Sequence, residues 1–233
     1  MTNSQPDISL VIPVYNEAAC IGAVVEEAVG VLEGMARPHE VIVVDDGSTD
    51  ETADVLARLR SRYPALHVYA LTPNAGQSAA FGVGFRECRG PVAVLMDGDG
   101  QNDPHDIPAL LAALGADCDV CCGYRAARCD AWSKRAAGRM ANAVRRWVLH
   151  DGIRDTGCSL KAIKREFLDA LPMDTPGMHR FIPALLLMQG ARIRQVAVNH
   201  RARPAGESKY TNLGRLAQAI SDLWTVKRMQ QRH

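Results

Sequence analysis

Residues Ile8–Glu17 read ISLVIPVYNE, an almost unbroken apolar run that ends in a polar turn. Strict alternation is missing, so a strand here is covered on both faces, as in a parallel sheet flanked by helices. The pattern returns outward from this stretch at Glu40–Val44 (EVIVV), Val68–Leu71, Val92–Met96 (VAVLM) and Asp119–Cys122. Between these runs lie helical periods. Glu17–Leu32 places Ile21, Val24, Val25, Ala28 and Leu32 on one face, and Thr52–Arg62, Gln77–Cys88 and His105–Leu114 follow. Strand alternating with helix predicts an α/β fold, with a mainly parallel central sheet and helices on both faces. After about residue 124 the rhythm changes. Helices are expected over Asp130–His150, Phe181–Gln189 and Asn212–Met229, with an alternating strand over Arg194–Val198. That second part reads as a small C-terminal lobe fused to the first sheet.

The chain has 233 residues, 47% hydrophobic and 23% charged, which suits one domain with a large aliphatic core. Collagen-like, disordered and disulfide-scaffold classes are excluded by composition. No apolar run approaches the roughly 20 residues of a spanning helix. The polar start, Met1–Asp7, has no apolar segment of the secretory kind, so a cytoplasmic protein is expected. Seven cysteines then read as reduced thiols. Cys118, Cys121 and Cys122 lie in a buried-strand pattern, which favours packing over zinc. The net charge of +1 conceals two opposed halves. Residues 1–120 hold 6 basic and 18 acidic residues, and residues 121–233 hold 21 and 8. An acidic half suits a divalent cation, and a basic half suits phosphates or an anionic membrane surface.

Ligands of open α/β sheets bind beyond the carboxyl ends of the strands. Three such ends carry polar clusters here: Pro13-Val14-Tyr15-Asn16-Glu17, Asp45-Asp46-Gly47-Ser48-Thr49-Asp50, and Asp97-Gly98-Asp99-Gly100-Gln101-Asn102-Asp103-Pro104. Any one alone is an ordinary turn with a helix cap; three at matching positions point to a site. Asp97 and Asp99, separated by the slim Gly98, are hard oxygen ligands suited to Mg²⁺ or Mn²⁺, with Gln101 a further carbonyl donor. No glycine-rich dinucleotide fingerprint and no P-loop is present. Gly82-Val83-Gly84 falls inside a helix.

These clusters, with Asn74-Ala75-Gly76, resemble the signature series of the inverting family-2 glycosyltransferases of GT-A (Rossmann-like) fold. Gly123-Tyr124-Arg125, Asp155-Thr156-Gly157-Cys158 and Arg203-Pro204-Ala205-Gly206-Glu207-Ser208-Lys209-Tyr210 narrow the resemblance to polyprenyl-phosphate transferases of the dolichyl-phosphate mannosyltransferase type. It spans about residues 7–215. It implies one domain over 1–233, with 7–123 binding nucleotide-sugar and metal and 124–233 facing the acceptor. It implies a UDP- or GDP-sugar donor and an undecaprenyl or dolichyl phosphate acceptor, and no nucleic acid. Pro13, Tyr15, Glu17 and Asp46, with Val44 beside them, would line the base and ribose pocket. Asp97, Gly98 and Asp99 would flank the metal and diphosphate, with Gln101 assisting. Arg125, Arg203 and Lys209 would take phosphates.

Many relatives carry transmembrane helices after this domain, whereas this chain stops at His233. Docking on the inner face of the membrane, or a membrane partner subunit, is therefore expected. Trp132–Val148 and Leu213–Met229 are candidate interfacial helices, packing on the sheet being the alternative. The Gln-x-x-Arg-Trp of polymerising members is missing, because Ala143 precedes Arg146-Trp147 in place of Gln. An anionic acceptor phosphate needs positioning, whereas an alcohol needs a base. Asp155 is the candidate for contacting the sugar or serving as that base, or else it caps the turn Thr156-Gly157. His179-Arg180 is a weaker candidate for touching sugar or phosphate. A nucleotidyltransferase, transfer to a soluble acceptor, and a non-catalytic nucleotide-sugar sensor are the competing readings.

Overall fold

The computed structural model describes residues 5–126, 132–202 and 212–231, with side chains described throughout except at 132–139 and 212–220. Strands β1 (Ile8–Val14), β2 (His39–Asp45), β3 (Leu66–Ala70) and β4 (Val92–Leu95) alternate with helices α1 (Ile21–Gly34), α2 (Thr52–Arg62) and α3 (Gln77–Glu87). Then come α4 (Ile107–Ala113), β5 (Val120–Arg125), α5 (Trp132–Leu149), β6 (Lys161–Lys164), α6 (Ile182–Met188), β7 (Ile193–Val198) and α7 (Asn212–Gln230). One seven-stranded sheet results, in the order β3-β2-β1-β4-β6-β5-β7, with β6 alone reversed. The expected α/β architecture is observed. Both β6 and β7, from the second half of the chain, extend the same sheet as the first half.

The unbroken apolar runs explain the layering. Successive strand residues point to opposite faces. Val11, Ile42 and Val44 enter one core layer with Phe81 and Phe85 of α3, Leu185 of α6, and Leu223 and Val226 of α7. Leu10, Ile12, Val41 and Val43 enter the other, with the buried faces of α1, α2 and α4. Gly84 lets α3 lie directly on β1, where a Cβ would run into Val11 Cγ1, and one at Gly82 would meet Met173. The Gly82-Val83-Gly84 triplet is a packing device.

Two elements differ from expectation for identifiable reasons. Helix α1 begins at Ile21 instead of Glu17. The amides of Glu17 and Ala18 are taken by Thr52 Oγ1 at 2.9 Å and Asp50 Oδ2 at 3.2 Å, across the neighbouring loop. Strand β6 is four residues long, too short to show a period, and it forms because β4 and β5 offer edges on both sides. The six cysteines among the described residues are free and buried. Burial pushes the Cys88 and Cys122 thiols up to about 12, so they pack as apolar groups. Cys129 lies outside the described residues.

The candidate interfacial helices divide. Helix α7 buries Asp222, Leu223 and Val226 and exposes Trp224. Helix α5 buries Leu149 and Arg145 but turns Met140 (67% exposed), Val144 and Trp147 (77% exposed) outward. Among the described residues no helix is long and apolar enough to cross a membrane.

Candidate active site

Strands β1, β2 and β4 are mutually parallel, so their polar ends emerge at one edge of the sheet. Strand β5 reaches the same edge, since Leu95 and Cys122 both pair with Lys161 of β6. The first two loops are stitched together. Asn16 Oδ1 accepts the Thr49 amide at 2.6 Å, and Ser48 Oγ accepts the Asn16 amide at 2.9 Å. Tyr15 and Glu17 are half-buried at this junction, and Pro13 is buried in β1. Val44 is fully buried in the core, so its side chain faces away from any ligand.

Asp46, 4% exposed, is the anchor of the next loop. Its carboxylate accepts the Ala75 amide at 2.8 Å, the Gly76 amide at 2.9 Å and Asn74 Nδ2 at 2.9 Å. Burial pushes this carboxyl above its ordinary range, against the pull of the two amides. The loop it holds opens directly into α3, whose first residues reach the site. Gln77 Nε2 donates to Asp97 Oδ1 at 2.8 Å, and Ser78 Oγ lies 2.8 Å from His179 Nδ1.

Asp97 and Asp99 stand at the end of β4. Asn102 Oδ1 fixes the Asp97 amide at 3.0 Å and is itself held by Ser159 Oγ at 2.8 Å. Asp99 Oδ1 accepts the Gln101 amide at 3.1 Å. Burial and the facing Asp99 push the Asp97 carboxyl up to about 6, against the hydrogen bond from Ser159, the charge of Lys161 and the bond from Gln77. The two crowded carboxylates are hard oxygen donors that fit Mg²⁺ or Mn²⁺, which typically take one or two carboxylates plus substrate oxygens. A second acidic group, Glu27, Asp103 and His105, also clusters within metal-binding reach. There Arg201 already supplies the positive charge, 2.7 Å from Glu27 and 2.6 Å from Asp103.

Beside Asp97 opens a cavity of about 230 Å³, lined among others by Gln77, Asp97, Ser159, Lys161, His179 and Arg180. Lys161 is 2% exposed and donates to the Cys158 carbonyl. Sequence reasoning missed it, because a lysine within a short apolar strand carries no motif. Gln77, Ser78 and Ser159 were missed although they directly follow the flagged Asn74-Ala75-Gly76 and Asp155-Thr156-Gly157-Cys158, and Asn102 lay inside a flagged cluster without being given a role. Arg125 and Asp155 form a bidentate pair, Nε to Oδ2 at 2.7 Å and Nη2 to Oδ1 at 2.8 Å. Asp155 Oδ1 also accepts the Gly157 amide at 3.1 Å, the turn-capping role. A Cβ on Gly157 would strike Arg125 Nη2, so this glycine admits the guanidinium to the cavity rim. The structure thus joins Arg125 to Asp155 and Asp97 to Asp99. Arg203 and Lys209 lie outside the described residues.

A mostly parallel sheet with one reversed strand, gathering its carboxylates at the carboxyl edge, is the GT-A architecture. Solved structures share it. Glucosyl-3-phosphoglycerate synthase of Mycobacterium tuberculosis in complex with uridine diphosphate aligns over 95% of this chain and 80% of its own, with a TM-score of 0.71 and 22% identity. A mannosyltransferase of Pyrobaculum calidifontis in complex with GDP-Man and Mn²⁺ aligns over 96% and 64%, with a TM-score of 0.67 and 22% identity. The chain belongs to glycosyl transferase family 2, whose profile matches residues 9–172. It is 34% identical over 220 residues to the undecaprenyl-phosphate 4-deoxy-4-formamido-L-arabinose transferase of Serratia proteamaculans, covering 94% of this chain and 67% of that protein.

Proposed function

We propose that this glycosyltransferase moves a sugar, with inversion, from a UDP- or GDP-sugar to a polyprenyl phosphate at the cytoplasmic face of a membrane, using Mg²⁺ or Mn²⁺. The observation that carries this reading is the meeting of opposed charges in one cavity. Asp97 comes from the acidic half, and Lys161 and Arg180 come from the basic half. Such a site takes a ligand that carries both a metal-bound diphosphate and a further anionic group. The relative from Serratia, named for an undecaprenyl-phosphate acceptor, supports the lipid assignment.

In this reading Pro13, Tyr15, Glu17 and the loop held by Asp46 receive the nucleoside, with Val44 contributing backbone alone. Asp97, Asp99 and Gln101 would hold the divalent ion, which when bound offsets charge on the departing nucleoside diphosphate. Arg125 meets a phosphate at the rim, held in place by Asp155, and Arg203 and Lys209 add charge for the acceptor. A phosphate nucleophile is already ionised, so positioning and charge shielding suffice without a general base. The outward apolar stripe Met140, Val144 and Trp147, beside Arg146, is the face we assign to the membrane surface.

The test is sugar transfer from a panel of UDP- and GDP-hexoses, with Mg²⁺ or Mn²⁺, with and without undecaprenyl phosphate, beside an Asp99→Ala variant. Metal- and lipid-dependent transfer that the variant loses is expected. Transfer to soluble acceptors alone overturns the polyprenyl assignment. Transfer that survives chelation overturns the role given to Asp97 and Asp99.

A further inference from the structure

The first turn of α3 reaches both sides of the cavity from adjacent residues, with Gln77 on Asp97 and Ser78 on His179. Metal-site carboxylate and imidazole are therefore fixed relative to each other by one rigid element. Ser78 Oγ also accepts the His179 backbone N–H at 3.2 Å. Among the described residues, the only acceptor for the Ser78 hydroxyl proton is His179 Nδ1. A hydroxyl that donates to Nδ1 fixes the neutral imidazole in the tautomer protonated at Nε2. With Nδ1 engaged, Nε2 is the ring nitrogen left to a ligand in the cavity that His179 lines. It has no hydrogen-bond partner among the described residues.

The ring's surroundings hold it neutral. Burial, then the charges of Arg180 and Lys161, push its pKa down to about 3. Phosphate oxygens would go to those two cations in preference to an uncharged N–H. The cavity, at about 230 Å³, is smaller than the ~300 Å³ at which pockets for drug-sized ligands begin, so beside the phosphate oxygens at Lys161 and Arg180 it leaves room for no more than one ring. In a nucleotide-sugar whose diphosphate lies at Asp97 and Asp99, the diphosphate is flanked by the nucleoside, assigned above to the Tyr15, Glu17 and Asp46 loops, and by the sugar, which is the group left for this cavity.

We propose that His179 is a sugar-reading residue: its Nε2–H donates to a hydroxyl of the donor's sugar ring, and Ser78 is the positioning residue that sets the tautomer. This rests on the nucleotide-sugar reading above. A donor in the cavity, covered from water once the sugar is seated, selects against sugars that lack an acceptor there, because the N–H is then left unpaired.

The experiment is calorimetric binding, with Mn²⁺ present, of UDP, GDP and a panel of UDP- and GDP-hexoses to wild type, His179→Phe, His179→Gln and Ser78→Ala. The expected result is a selective loss. His179→Phe binds the free nucleoside diphosphate within twofold of wild type but the preferred nucleotide-sugar about tenfold more weakly, the size of one hydrogen bond. Gln, which carries an N–H at the depth of Nε2, restores much of that loss, and Ser78→Ala falls between. Deoxy analogues of the preferred sugar locate the hydroxyl: one of them loses affinity with wild type and not with the Phe variant. Equal weakening of diphosphate and nucleotide-sugar overturns the proposal, as does nucleotide-sugar binding untouched by both Phe and Ala substitutions. Failure of wild type to bind any nucleotide-sugar overturns the functional reading itself. Thermal melting of each variant separates these outcomes from unfolding, and the Gln variant serves if the Phe ring does not fit.

Discussion

Replacing Asp46 by alanine separates a structural role from a ligand-contacting one. The carboxylate is 4% exposed and accepts three donors, the Ala75 and Gly76 amides and Asn74 Nδ2. Removing it strands two backbone N–H groups, whereas Asn74 Nδ2 keeps its 2.7 Å bond to the Asp46 carbonyl. Each orphaned group costs about 1–3 kcal/mol, and part is recovered where water enters from the open edge of the sheet, so about 3 kcal/mol is expected. For a domain of this length that corresponds to a fall in melting temperature of about 6–12 °C. The displaced loop opens into α3, so Gln77 and Ser78 lose their register against Asp97 and His179, and turnover falls as well. The assay pairs calorimetric melting with nucleoside-diphosphate binding, for Asp46→Ala and Asp46→Asn. Asn keeps one acceptor but turns an NH₂ toward the amides, so it is expected to fall nearer Ala than wild type. A variant that melts within 2 °C of wild type while losing nucleotide affinity refutes the reasoning, because Asp46 would then act on the ligand and not on the loop.

Three other outcomes are expected. Gly84→Ala forces a methyl against Val11 in the core, costing about 1–3 kcal/mol against about 1 kcal/mol of helix propensity regained. Val11→Ala should then cost less in the Gly84→Ala background than alone, a coupling that urea unfolding of the four-member cycle reads directly. Asp103 is held down to about 2, burial opposing, by hydrogen bonds from Asn199, the His105 amide and Arg201. A lowered carboxylate pKa gives stability that is present above the ordinary carboxylate range and lost as pH falls from about 4 to about 2. Arg201→Met should therefore destabilise by about 1 kcal/mol at pH 7, with the gap from wild type narrowing toward pH 2 in urea titrations. Arg125→Lys loses the bidentate grip on Asp155 and should lower turnover at least tenfold while the melting temperature moves only a few degrees; unchanged turnover would remove Arg125 from the site.

Sheet, helices and the acidic edge were legible in the sequence because each is written locally. Unbroken apolar runs such as Ile8–Val14 specify strands covered on both sides, and Asp97-Gly98-Asp99 places two carboxylates at a strand end whatever surrounds it. The charge division between the halves was equally plain. What the tertiary structure decided is which groups meet. Strand β6 owes its existence to the two edges it fills, and it carries Lys161 into the cavity beside Asp97, 64 positions away in the chain. Ser78 meets His179 only because α3 packs over the turn that precedes α6. Asp46, flagged as ligand-facing by resemblance, and Asp155, weighed as a sugar contact or base against a turn cap, spend their oxygens on the Ala75–Gly76 loop and on Arg125 and the Gly157 amide. The physical reason is common to all of these: strand and turn preferences act within a few residues, whereas a buried polar group must find its partner wherever the closed chain brings one.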